Sequence, residues 1–169
     1  MHECYAGRMR KTHAMRALDA RGISYRVVEY DAGGAFHSAD EAAELLGVDA
    51  ATVYKTLVAL RDDGSRGKPV LAIIPATSHL DLKSLARVCG AKKMRMAAQR
   101  EAEQLTGMQV GGISALALKR PGGFDVLLDA SAKRLPSIHV SAGERGLDLQ
   151  IAVGDFLAVT AARVAPVCA

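Results

Sequence analysis

The stretch VLAIIP, Val70 to Pro75, constrains this chain more than any other. Its apolar residues run on without a polar alternate, so a strand here must be covered on both faces. It is far too short to cross a bilayer, which takes about 18 or more such residues, and no apolar run in the chain approaches that length. A strand buried on both sides needs layers above and below it. VYKTLVAL, Val53 to Leu60, reads as the strand before it, with the polar turn RDDGSRGKP between them. LDLKSLARVCG, just beyond, reads as a helix ending at Gly90, because glycine readily takes the left-handed conformation that closes a helix.

Elsewhere helices and strands mix. Ala14, Met15 and Leu18 recur at helical spacing from Lys11 to Ala20, and Gly22 ends that helix. ISYRVVEY reads as a strand, and DAGGAFHS as a glycine-containing loop. ADEAAELLG reads as a helix with Ser38 and Glu41 as a capping box and Gly47 as its stop. Ala97 to Leu105 forms another helix ending near Gly107. FDVLLD, SIHVS and LQIAV read as strands, and GDFLAVTAA as a last helix capped near Asp155. Neither a regular βαβ alternation nor a pure strand series appears, so the fold class is α+β in one compact domain. That domain spans residues 11–165, with residues 1–10 a loose extension and residues 166–169 a loose tail.

Composition narrows the chemistry. Half of the 169 residues are hydrophobic, which supports a sizeable core and argues against disorder. The N-terminus has basic residues with no apolar stretch behind them, so a cytoplasmic protein is expected rather than a secreted or membrane one. Three cysteines, Cys4, Cys89 and Cys168, without a CxxC pair give neither a disulfide framework nor a zinc spacing. Five scattered histidines form no HExxH pair, so no metal and no cofactor are expected. A net charge of +4 permits an anionic partner without requiring one.

Three features could carry function. In strand VYKTLVAL neither face is cleanly polar, so Lys55 is either a partly enclosed ammonium or one that snorkels to water. In IHVSAGERGLDLQIAV, Ser141 and Asp148 bracket a loop with Gly143 and Gly146. They face a ligand, or they serve an ordinary hairpin turn. In VGGIS, ending at Ser114, the adjacent Gly111 and Gly112 offer amides suited to an oxyanion, although a lone pair of glycines is a weak signal. No phosphate-binding loop of the GxxxxGK[ST] kind is present, and no GxSxG elbow.

Together and in this order, VYKTL, LDLKSLARVCGAKK, TGMQVGGIS and VSAGERGLDLQIAVGD resemble the YbaK-like Cys-tRNA(Pro) deacylases, relatives of the editing domain inserted in bacterial prolyl-tRNA synthetase. The resemblance covers residues 11–162. It implies a curved, barrel-like mixed sheet flanked by helices, and a pocket for the 3′ aminoacyl-adenosine of tRNA. It implies that Lys55 is the essential lysine, that the Gly111 and Gly112 amides stabilise charge on the ester carbonyl, and that Ser114, Ser141 and Asp148 belong to the pocket. Tyr30 and Phe36 would form its aromatic wall. The implied reaction uses no protein nucleophile: the substrate's own cysteine thiol attacks its ester, with water attack positioned by the same residues as the open alternative. The implied partners are the aminoacyl-tRNA 3′ end and prolyl-tRNA synthetase, with no membrane and no DNA. Ala115 stands where the family usually has proline, Ala142 where glycine is common, and Glu144 where a basic residue is common. Another small aminoacyl-tRNA such as Ala-tRNA(Pro), or a non-catalytic module that binds tRNA ends or nucleotides, remain the alternatives.

Overall fold

A computed structural model of the chain describes residues 10–30 and 39–169. The order is α1 (His13–Ala20), β1 (Arg26–Glu29), α2 (Ala39–Leu46), β2 (Tyr54–Arg61), β3 (Val70–Pro75), α3 (Leu82–Cys89), β4 (Met94–Met96), α4 (Gln99–Thr106), β5 (Asp125–Asp129), β6 (Ser137–Glu144), β7 (Leu147–Ala152), α5 (Val153–Thr160) and β8 (Arg163–Ala165). Ser38, Phe36, Cys4, His2 and His37 lie outside the described residues.

The strands divide into two sheets. One is antiparallel, in the order β1-β7-β6, and the other is mixed, in the order β4-β2-β3-β5-β8. β3 pairs antiparallel with β2 and parallel with β5. Both faces of β3 are covered, as its unbroken apolar run requires. Leu71 and Ile73 face the main core, shared with Ile138, Val140, Leu149 and Ile151 of the three-stranded sheet. Val70 and Ile74 face a second core built with Leu85 and Ala86 of α3. The result is two stacked sheets with a helix outside the larger one.

The barrel-like sheet implied by the resemblance does not appear among the described residues. Val53, the residue before β2, meets His139 of β6 in an isolated parallel bridge, with no ladder to join the sheets into one closed surface. The C-terminal residues also depart from expectation. Val167 is fully buried, its amide donates to the Asp129 carboxylate at 3.0 Å, and Leu80 bridges to Cys168. Asp129 is the physical reason, because a carboxylate buried at the end of β5 recruits donors. Finally, α5 begins at Val153 with Ala152 before it, and no side chain caps it. Asp155 instead sits within its first turn, where a negative charge meets the positive end of the helix dipole.

Candidate functional site

β2 starts one residue after a short 3-10 turn (Ala50–Thr52) that Asp49 caps. Its second residue, Lys55, shares a face with Leu57 and Ala59, which pack toward the second core. The side chain is half-buried, and its ammonium donates to the Ala76 carbonyl at 3.0 Å, just past β3. Of the two readings open in the sequence, the geometry selects the enclosed lysine. One N–H is engaged by protein, and an ammonium has two more to offer a ligand.

Lys55 lines a cleft of about 140 Å³ together with Tyr30, Gly111, Ser141 and Asp148. Segments far apart in sequence meet here for identifiable reasons. Ser141 on β6 pairs directly with Asp148 on β7, so the strand register puts both on one face, opposite the apolar set Val140 and Leu149. Beyond Ser141 the register slips in a bulge. The Gly143 amide donates to the Ser141 hydroxyl at 3.1 Å, and Gly143 itself holds φ near 101°, a conformation glycine takes without strain. Tyr30 is tied to the same hairpin through its amide, which donates to the Gly146 carbonyl at 3.0 Å.

The electrostatics centre on Asp148. β7 is the middle strand of its sheet, so Asp148 is buried, and that burial pushes its carboxyl up to about 6. Among the described residues nothing donates a hydrogen bond to it. Tyr30 is raised too, by burial first and then by the Asp148 charge, with the Gly146 amide acting in the opposite direction. An unpaired carboxylate at a cleft is a receptor for a cation.

The glycine pair separates. Gly111 lines the cleft with φ near 92°, and among the described residues its amide makes no hydrogen bond. Gly112 is buried outside the cleft lining, and its amide already donates to the Gln109 carbonyl at 2.9 Å. A Cβ on Gly112 would sit 2.9 Å from the Arg145 backbone nitrogen, so this glycine lets the loop press against the β6–β7 hairpin. Ser114 is also buried away from the cleft lining, and its hydroxyl accepts the Leu116 amide at 3.2 Å as the cap of a 3-10 turn. Both residues support the wall rather than face a ligand.

Sequence reasoning passed over Thr56, Leu57, Val110 and Ile113, which also line the cleft. It also passed over His139, buried on β6 with its Nδ1 unpartnered. The alternation in SIHVS was the available signal, since it sets His139 on the same face as Ser141. Neither cysteine nor histidine is among the described lining residues. Cys168 is pushed up to about 12 by burial and the neighbouring Asp129, and burial also raises Cys89, so both thiols stay protonated near neutrality. Among the described residues no three His, Cys, Asp or Glu side chains gather as a metal site, and no helix is long and apolar enough to cross a membrane.

Comparison with known proteins returns a consistent set. Residues 34–159 match the family model of the aminoacyl-tRNA editing domain. A protein of Enterococcus faecalis, EbsC, provisionally named a Cys-tRNA(Pro)/Cys-tRNA(Cys) deacylase, is 35% identical over 150 residues, covering 89% of this chain and 88% of its own. A proline–tRNA ligase of Pediococcus pentosaceus is 30% identical over 114 residues, which are 68% of this chain and 19% of the ligase. A crystal structure provisionally named a trans-editing enzyme for prolyl-tRNA synthetase superposes with a TM-score of 0.78 at 26% identity, covering 93% of this chain and 95% of that one.

Proposed function

The chain belongs to the aminoacyl-tRNA editing domain family, among its YbaK-like members, and from that premise we propose that it clears mischarged Cys-tRNA(Pro) by cleaving the aminoacyl ester. The observation that carries this reading is one small cleft holding the Lys55 ammonium and the Asp148 carboxylate, which has no hydrogen-bond donor among the described residues, with no cysteine or histidine among its described lining residues. The relative EbsC, similar over nearly its whole length, supports the choice of cysteine and of tRNA(Pro).

Each group then has a role. The α-ammonium of the aminoacyl ester meets Asp148, which is ionised above pH of about 6. Lys55 directs its two remaining N–H groups to the ribose or terminal phosphate, and Tyr30 and Ser141 close the sides of the cleft. The substrate's thiol, losing its proton to solvent, attacks its own carbonyl carbon. A carbon–sulfur bond forms, the carbon–oxygen ester bond breaks, and the ribose oxygen leaves and takes up a proton. Water later opens the resulting thiolactone to free cysteine. Charge developing on the carbonyl oxygen is met by the Gly111 amide, the one of the glycine pair that makes no hydrogen bond among the described residues. The likeness to a stretch of a proline–tRNA ligase supports recruitment of the protein to that synthetase, which would supply selectivity for tRNA(Pro).

Purified protein should deacylate Cys-tRNA(Pro) while sparing Pro-tRNA(Pro), and Lys55→Ala should lower the rate by roughly 100-fold or more. Ser-tRNA(Pro), which lacks only the thiol, should be cleaved far more slowly; equal rates would replace thiol attack with water attack. Preference for Ala-tRNA(Pro) would move the substrate within the same reaction, a discrimination worth only about 1–3 kcal/mol. Tight tRNA binding with no turnover of any charged tRNA would leave a binding module.

A further inference from the structure

A second groove, of about 250 Å³, opens beside the cleft, and among its lining residues are Arg10, Lys11, His13, Arg16 and Lys119, with Glu144 as an acidic side chain. The cations come from three places: the segment leading into α1, α1 itself, and the loop beyond the 3-10 turn at Ala115–Ala117. Lys11 is ion-paired with Asp19, but among the described residues neither Arg10, Arg16 nor Lys119 forms an ion pair. All three side chains belong to exposed residues. The Arg16 guanidinium is nonetheless held in place, donating to the Lys11 carbonyl at 2.9 Å.

The groove and the cleft share no lining residue, but their linings come close along the chain. Thr106, Gly107 and Met108 line the groove, and two residues later Val110 and Gly111 line the cleft. On β6, Ser141 faces the cleft while Ala142 and Gly143 border the groove. A polyanion whose end enters the cleft and whose backbone follows residues 106–111 would reach the basic surface. Long, exposed cations spread over a groove suit a chain of phosphates better than a single small anion, which would need enclosed donors.

We infer that the groove lined by Arg10, Arg16 and Lys119 holds the phosphate backbone of the tRNA acceptor strand whose aminoacylated end lies in the Lys55 cleft. This rests on the deacylase reading for the occupant of the cleft. The groove supplies affinity without sequence selectivity, because phosphate contacts position a nucleic acid but carry no base information.

The test uses the whole protein and an Arg16→Glu/Lys119→Glu variant, with fluorescent tRNA(Pro) binding measured over a range of salt, and turnover of Cys-tRNA(Pro) compared with a cysteinyl-CCA trinucleotide too short to reach the groove. Thermal unfolding of the variant checks that its fold is intact. The expected result is tRNA affinity weakened by roughly tenfold or more and a log–log salt slope shallower by about 1–2, with trinucleotide kcat/KM held within about twofold. Unchanged tRNA affinity and slope would overturn the inference. So would a variant that binds tRNA normally but loses association with prolyl-tRNA synthetase, since the groove would then be a protein-docking surface. If the wild type cleaves neither substrate, the deacylase reading fails on its own, and the binding measurements still decide the groove.

Discussion

At the residue scale, Asp148 concentrates the conflict between stability and function. Its folded pKa stands near 6 against an ordinary 3.8, so the native state holds a proton more tightly than the unfolded chain does. Stability from this group is therefore greatest below about pH 4 and is lost as pH rises through 6. At neutral pH the buried charge costs on the order of 3 kcal/mol, from a shift of about two pKa units at 1.36 kcal/mol each. Asp148→Asn should stabilise the protein against urea at pH 7, the advantage shrinking toward zero by pH 4, while deacylation falls. An advantage independent of pH would mean that burial of the charge is not its source. The other site residues show what a sequence can reveal at this scale. Register alone pairs Ser141 with Asp148, and the resemblance selects Lys55. Which of two adjacent glycines keeps a free amide depends on whether the Gln109 carbonyl folds back onto it, and no local pattern encodes that.

At the scale of elements, strong patterns were legible and short pieces were not. VYKTLVAL, VLAIIP and FDVLLD show β-rich apolar runs, and each is a strand. The stops at Gly90 and Gly107 are visible because both take left-handed φ, near 63° and 71°. β4 and β8 have three residues each, too few for a two-residue period to register, and they exist because a neighbouring edge pairs with them. The end of α5 breaks the glycine rule. Ala161 occupies the left-handed cap with φ near 53°, where a Cβ is strained. Ala161→Gly should raise stability by about 0.5–1 kcal/mol, after allowing for the looser unfolded chain, read as an upward shift of the denaturation midpoint at unchanged slope. A lower midpoint would show that the strain is relieved in some other way.

At the scale of the whole molecule, the sequence conveyed the α+β class and the need for layers, but not the division into two sheets, which turns on the single Val53–His139 bridge. A net charge of +4 likewise said nothing of where cations gather, and three elements had to converge before Arg16 and Lys119 lined one groove. The C-terminal residues show the same dependence on distant partners. Pro166 and small neighbours look like a frayed end, yet Val167 fills a slot in the core behind α3 and its amide meets Asp129. Burial pulls the Asp129 carboxyl upward, but donors from Ser131, Val167 and Cys168 outweigh it and leave the group lowered. Removing residues 166–169 should destabilise the protein by roughly 3–5 kcal/mol, from one lost apolar side chain and a buried carboxylate missing a donor. The drop in Tm should be about 10 °C or more; a shift within a degree or two would mean that the tail only rests on the surface. Synthesis adds a matter of timing. Translation delivers β2, β3 and β5 before β8, the strand that pairs with the outer side of β5, and before Val167, which plugs the second core. Until β8 has emerged, β5 keeps its outer edge unpaired, where a chaperone or another unfinished chain can reach it.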